Sequence, residues 1–433
     1  MNTGILTVVK GIAPLLLYST VLIVAFLSLT GRVKLGLLFL VPLLPLQNVV
    51  ERLYQFTLGN NLNDILLICM TLGWLFSSIF KREKMFVPTS FNLLLIIMGI
   101  YTYFSLWQGS SFLGFPAPIN PTDPRLQNWK NYMIFPLLYF ITINNIMEVK
   151  HIKWIVLCML LSMLLMNYYV INQIHWSSGL GARDRFEGTF VWLGPNETAA
   201  FYATYTFVLL GIFLYDRLKI RKLIFAFIIF LNIFCVLFLF SRGAYTAFML
   251  GAIFICLFKS KKLLIPLLFF LFFWQTVLPQ QVVERVNETK TKEGQLESSA
   301  EKRLIMWRQS IDLFKHNPIT GAGFNTVWYL GFELGDTHNI FIKILAEQGI
   351  IGITIFLIIF YLSFRSSLKL YKIANNRFLK GLGLGFMACV VAMIVANMFG
   401  DRWTHTPLGS YYWVFLGLVE RGRIISMKEL AKK

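Results

Sequence analysis

Charge is scarce in this chain. Of its 433 residues only 14% are Asp, Glu, Lys or Arg, while 57% are hydrophobic and gathered in long runs. A helix needs roughly 20 apolar residues to cross the hydrocarbon layer, so soluble classes drop out and a polytopic helical membrane protein remains. Cysteine is equally sparse. Cys69, Cys158, Cys235, Cys256 and Cys389 all fall inside apolar runs without metal-ligand spacing, which excludes a disulfide framework in the polar loops and a thiolate zinc site. There is no His-Glu-x-x-His, no Gly-x-x-x-x-Gly-Lys-Ser/Thr loop and no Asp-x-Asp pair. Zinc hydrolysis, nucleotide-phosphate chemistry and a metal-clasping glycosyltransferase are therefore not indicated, and neither a metal nor a cofactor is expected. No small-residue cleavage site follows the apolar stretch after Lys10, so that stretch reads as a retained first span.

What the chain does contain is apolar runs separated by short basic clusters. Spans are expected near 12–29, 36–49 (short, with Pro42 and Pro45), 62–80, 91–108, 129–147, 153–173, 196–215, 223–240, 243–258, 263–278, 338–364, 381–400 and 410–420, twelve or thirteen in all. The fold expected is thus an all-α polytopic membrane protein, a single membrane domain over 1–433 with a large, partly helical external loop at 279–337. The net charge of +19 is dispersed between spans, which marks topology and not a nucleic-acid stripe. Lys81 to Lys84, Lys150 with Lys153, Arg217 to Lys222, Lys259 to Lys262, Arg365 to Lys380 and the tail from Arg421 fall at every second loop, as alternating topology requires. Those loops are read as cytoplasmic, and 109–128, 174–195, Ser241-Arg242, 279–337 and 401–409 as external. The first spans are ambiguous: Arg32 and Lys34 count as cytoplasmic, which leaves Met1 outside, and a surface-lying or re-entrant 36–61 segment is equally compatible.

The longest polar segment, Val283 to Ile350, holds the strongest chemical signal. Leu304, Trp307, Ile311 and Phe314 recur at helical spacing, so a helix with one apolar face should lie on a membrane surface or cap a cavity. A turn follows at Asn317 to Gly323, then Asp336-Thr337-His338-Asn339 at the threshold of a new span. His338 is a histidine beside the membrane with external arginines for company: Arg185, Arg242, Arg285, Arg303, Arg308 and Arg402. Guanidinium forks bind phosphate oxygens bidentately, which suits a diphosphate. A histidine with an ordinary pKa near 6.5 suits removal of a hydroxyl proton at neutral pH. Together they describe glycosyl transfer from a lipid diphosphate donor. The plainer alternatives are that Arg242 is a snorkelling helix-end anchor and that His338 caps the helix starting at Asn339. Of the other histidines, His405, in an external loop, is the reserve candidate; His151, His175 and His316 lack a comparable setting.

Arg185-x-x-Gly188 before Pro195-Asn196, Ser241-Arg242-Gly243 between two spans, Arg303 with Trp307, Pro318 to Gly323, and His338-Asn339 followed by Glu347-x-Gly349-x-x-Gly352 form an ordered set. Over roughly 180–355 that set resembles the O-antigen ligase and polymerase superfamily of bacterial inner-membrane proteins. The resemblance implies a multi-span helical fold whose late external loop, on the periplasmic side, covers a lateral cavity. It implies an activity that moves glycans from undecaprenyl diphosphate without a metal, with lipid A-core as acceptor in a ligase or the next lipid-linked repeat unit in a polymerase. Carried over by position, Arg185 and Arg242 would bind the diphosphate, Arg303 would assist, and His338 would activate the acceptor hydroxyl. The competing class is a transporter or flippase for the same lipid. Transporters carry ionisable residues near the midplane and paired broken helices, whereas here the candidate residues gather at one face.

The alternation of basic clusters yields a topological prediction. A cysteine at position 292 should be modified by an impermeant thiol reagent from outside the cell and one at position 260 should not; the reverse pattern would sink the orientation.

Overall fold

The structure, a computed structural model, describes residues 2–173, 194–287, 298–331 and 337–432. Among these the chain is built of helices α1 (Asn2–Leu29), α2 (Val33–Leu43), α3 (Gln47–Glu51), α4 (Leu62–Phe80), α5 (Ser90–Phe112), α6 (Pro124–Asn145), α7 (Val149–Gln173), α8 (Pro195–Tyr215), α9 (Lys219–Phe238), α10 (Arg242–Lys259), α11 (Leu264–Val277), α12 (Gln280–Asn287), α13 (Ser298–His316), α14 (Thr326–Tyr329), α15 (Ile340–Ile373), α16 (Arg377–Met398) and α17 (Thr406–Ala431). Each expected apolar run coincides with one of them. Nine helices of the described residues are long and apolar enough to cross a membrane, or ten if α11 and α12, bent by 101°, count as one broken span. The other expected runs are α2, which has 11 residues, and α6 and α17, which are long enough but more polar. The protein is an all-α polytopic membrane protein.

The centre is α8, α16 and α17. Every residue of α17 from Pro407 to Gly422 is buried, as is every residue of α8 from Thr198 to Leu209. A helix buried all round presents apolar side chains to neighbours on all sides, and Trp403, Tyr411, Tyr412, Trp413 and Phe415 fill this centre with edge-to-face ring contacts. Between α8 and α16 the backbones touch. A Cβ on Gly211 would sit 2.4 Å from the Gly381 carbonyl oxygen, and one on Gly385 would sit 2.5 Å from that of Phe207. Gly381 and Gly385 are four apart on one helix face, the small-x-x-x-small spacing that lets membrane helices approach closely where apolar burial alone gives no drive for association. At the opposite extreme α11 has no buried residue at all, and Phe272 is 82% exposed.

The two ends of the bundle differ in chemistry. At one end the basic clusters meet aromatic rings: the Lys259 ammonium lies 3.7 Å from the centre of the Tyr215 ring, Tyr215 shares a 2.8 Å hydroxyl hydrogen bond with Tyr371, and Lys380 and Lys153 cover Tyr371 and Phe378. Lys34 belongs to this end too, because its charge acts on Glu148 and His151. Helix α2 therefore runs inward from the basic end, with Leu37 and Leu40 fully buried, and is not surface-lying. The opposite end gathers residues from 40–67, 124–138, 324–329, 340–348 and 401–410 around one cavity.

That opposite end depends on a break in α15. At Gly349 the backbone turns to φ 60°, ψ −159°, a region open essentially to glycine alone. The break frees main-chain groups, and the turn predicted at Asn317 to Gly323 takes them up. Ala322 and Gly323 donate to the carbonyls of Ala346 and Glu347 at 2.9 and 2.7 Å, and Ile350 donates to Pro318 at 2.9 Å. From the other side α5 holds the same turn. The Gln108 amide donates to Gly321, the Tyr101 hydroxyl to Gln348, and Phe324 N–H to Ser105. Non-helical backbone at membrane depth is tolerated only where protein satisfies it, and here every hydrogen bond just named does so. Gly349→Ala should be strongly destabilised: its Cβ would sit 2.3 Å from the Ile319 oxygen on top of the φ penalty of about 1–3 kcal/mol. Gly114→Ala, with positive φ but open space around it, should cost much less; equal thermal unfolding midpoints for the two purified variants would overturn this account.

Candidate active site

The sequence candidates come to two corners of the non-basic end. At the first, α9 ends at Phe238, Phe240 follows at φ 50°, and α10 opens at Arg242 with Ser241 before it, so the connection is only a few residues long. Arg285 of α12, itself buried, donates from Nε to the Phe240 carbonyl at 3.3 Å, so a second guanidinium is fixed at the Arg242 corner. Gly243 packs on the Phe399 ring at the end of α16. At the second corner, Trp307 Nε1 donates to the Thr337 carbonyl at 2.8 Å, which sets α13, and Arg303 one turn before, against the residue preceding His338. This bond also fixes the rotation of α13. Met306 and Ser310 are buried while Leu304 and Ile311 of the predicted apolar face are exposed, because the indole, not the aliphatic stripe, is what docks. Arg185 lies outside the described residues.

His338 adopts φ 49°, uncommon for a residue with a side chain. The helix it precedes is capped by its neighbour: Asn339 Oδ1 accepts from Phe341 and Ile342 N–H at 3.0 and 3.3 Å. Capping thus belongs to Asn339 and not to the His338 ring.

The 399–406 connection ties the corners together. Asp401 accepts from Lys343, on the first turns of α15, at 2.8 Å, while Asn397 Oδ1 receives the N–H groups of Arg402 and Trp403. Burial opposes ionisation of Asp401, but the Lys343 ammonium, by charge and hydrogen bond, more than offsets it and holds the carboxyl below the ordinary carboxylate range. A depressed folded value means the pair stabilises fully above the unfolded pKa and is lost only as pH falls through the folded one, so it persists at neutral pH. Arg402 pairs with Glu197 of the first turn of α8.

Beside these corners lies a cavity of about 870 Å³, walled by the ends of α2 and α4, the first half of α6, the segment Phe324 to Tyr329, the start of α15 and residues 401–410. Its lining includes His405, the reserve candidate, but not His338, Arg242 or Arg303. Ile340, Lys343, Ile344 and Glu347, from the helix that His338 precedes by two residues, do line it. Glu347 is 2% exposed and accepts the Val327 N–H at 3.1 Å, locking the wall segment to the α15 break. Sequence reading missed Glu347 and Asp401 as organisers; Glu347 sat in a recognised motif, whereas Asp401 gave no local signal. Among the described residues no three His, Cys, Asp or Glu side chains gather as a metal-holding group.

Residues 224–357 match the sequence model of the family described as O-antigen ligase. Over that stretch, about a third of its length, the chain is similar to the O-antigen ligase family. The matched stretch contains Arg242, Arg303, His338 and the Glu347 to Gly352 break, and leaves out Arg185, His405 and the α2, α4 and α6 walls of the cavity. No curated protein matches the chain. Proteins of that family suggest a glycosyltransferase-like membrane enzyme with lipid-linked glycan as its substrate class.

The Arg402–Glu197 pair gives a stability prediction. Arg402→Ala strands a largely buried carboxylate and should destabilise by about 3–5 kcal/mol, while Arg402→Met with Glu197→Gln should recover most of that loss. Denaturation of the purified single and double variants measures both; no recovery in the double variant would mean the pair is not the cause.

Proposed function

We propose that the protein transfers a glycan from undecaprenyl diphosphate to an acceptor hydroxyl on the periplasmic face of the inner membrane, as an O-antigen ligase acting on lipid A-core. A repeat-unit polymerase is the same chemistry with a different acceptor. The reading is carried by one observation: the stretch matching the O-antigen ligase family brings the Arg303 helix against the His338 residue through the Trp307–Thr337 bond. The whole chain then acts as one membrane domain, with 279–337 as its loop subdomain.

In this mechanism Arg185 and Arg242 hold the donor diphosphate and Arg303 assists. Arginine keeps its charge at any physiological pH and matches phosphate geometry, so the leaving group departs already neutralised. The remaining difficulty is a weak sugar nucleophile. His338 takes the proton from the acceptor hydroxyl as that oxygen attacks the anomeric carbon. The bond from the anomeric carbon to the lipid diphosphate breaks in the same displacement, which inverts the anomeric configuration, forms no covalent glycosyl-enzyme and uses no metal. The positive φ at His338 fits a residue held for chemistry, since such strain persists only where its surroundings over-determine it.

The test is transfer by purified protein from lipid-linked glycan to lipid A-core or to a second lipid-linked glycan. His338→Ala should insert and bind donor yet transfer at least about a hundredfold more slowly. Arg242→Lys should lose roughly one to two decades, since a charge-assisted hydrogen bond is worth on the order of 1.5–3 kcal/mol and lysine keeps the charge without the fork. Near-normal transfer by His338→Ala, or a trapped glycan-protein adduct, would exclude the mechanism; unchanged Arg242→Lys would restore the anchor reading.

A further inference from the structure

The cavity of about 870 Å³ is lined by neither His338 nor the candidate arginines Arg242 and Arg303, and its chemistry differs from theirs. Its size falls within the roughly 300–1,000 Å³ of ligand pockets. Among the described residues its lining contains no arginine. The lysines and carboxylates that line it are engaged from within: Lys130 with Asp64, Lys343 with Asp401, and Glu347 with the Val327 N–H. The other polar groups at the space include the His405 ring, the Thr404, Thr406 and Ser410 side chains and, in the greatest number, amides. Asn60, Asn61 and Asn63 stand at the start of α4, and Asn128 and Asn131, three apart and so on one face of α6, stand opposite. None of these five side chains makes a hydrogen bond to another protein group among the described residues. A sixth, Asn325, has φ 67° and a buried Nδ2 with no acceptor, at the wall locked to Glu347. Trp328, 59% exposed, and Tyr132 and Tyr329 supply aromatic surface at the same cavity.

Uncharged amides that both donate and accept, set beside open aromatic faces, match the alternation of hydroxyls and C–H faces on a sugar. They do not match a diphosphate, which needs uncompensated cations. We infer that this cavity binds the saccharide of the acceptor, with the amides of α4 and α6 reading hydroxyls and Trp328 stacking on a ring face. The inference rests on the transferase reading for the word acceptor, but the saccharide site stands on the lining alone. It also gives a role to parts of the chain outside the matched stretch, since α2, α4 and α6 then join Asn325 and Trp328 in selecting what receives the glycan.

Binding in the absence of reaction tests it. The purified full-length protein in detergent is titrated with two probes by saturation-transfer NMR: core oligosaccharide released from lipopolysaccharide by mild acid, and a lipid-free oligosaccharide of the repeat unit. A third titration uses undecaprenyl diphosphate. The wild type should bind at least one oligosaccharide, and which one names the acceptor. Asn128→Ala/Asn131→Ala/Trp328→Ala should weaken that binding by about tenfold or more, Trp328→Phe alone should retain most of it, and both variants should bind undecaprenyl diphosphate as the wild type does. No oligosaccharide binding by wild type, unchanged binding by the triple variant, or equal loss of oligosaccharide and lipid diphosphate would each overturn the inference. A wild type that binds oligosaccharide but fails in the transfer assay would sink the transferase reading instead.

Discussion

The structure of the candidate site depends on one exchange of backbone hydrogen bonds. Where α15 breaks at Gly349, the groups that a continuous helix would pair internally are paired by the Pro318 to Gly323 turn. In a bilayer an unpaired backbone group costs several kcal/mol, so the break and the turn exist only together. The glycines on each side are where the fit is tightest: Gly321 and Gly349 face each other's backbone, and Gly323 lies on Gly109 of α5. Because Phe324 to Tyr329 follows the turn directly, the same exchange sets the cavity wall, and Glu347 fixes it by holding Val327. One side of the cavity is therefore as rigid as the transmembrane helix it grows from.

A second constraint keeps the centre available as a frame. Helices α8, α16 and α17 pack by backbone proximity and by tilted and edge-to-face rings, with the Gly211, Gly381 and Gly385 contacts fixing the α8–α16 separation. Beside this frame, buried amides pair across helices: Asn232 of α9 accepts from Asn167 of α7 and donates to Thr206 of α8. The candidate residues lie instead at helix ends, where Arg242, His338 and the 399–406 connection meet the same side of the bundle.

The fold was legible in the sequence to the extent that it is local. Run length and basic clusters specify which stretches are helices, and the helix start at Pro195 follows from a proline that fits the first helical position. Hydropathy could not show that α17 continues to Ala431, because its later turns carry Arg421, Arg423 and Lys428, nor that α17 is central, because burial all round is a property of the assembly. The α13 helix was legible from its periodicity, but its rotation was not, because one indole bonds a carbonyl 30 residues away. At the site, the residues on the matched stretch were visible as motifs. The cavity walls were not, since scattered asparagines on α4 and α6 form no pattern until two helices face each other.

This division has a physical basis. A diphosphate is recognised by charge, and charge at a membrane boundary is unfavourable enough that each arginine stands out in a sequence of this composition. A saccharide is recognised by neutral amides and rings, which are easily placed at the same boundary and so are common there. The donor side of such a site announces itself through a few conspicuous residues, whereas the acceptor side is written in ordinary ones and becomes visible only as geometry. On the proposed reading the separation serves the reaction, because a neutral, hydroxyl-bearing acceptor and a charged donor must meet without competing for the same groups. Lys130 and Lys343 are engaged by Asp64 and Asp401, so the ion pairs lining the cavity hold its positive charge in place for structure, and a neutral ligand meets no competing cation there.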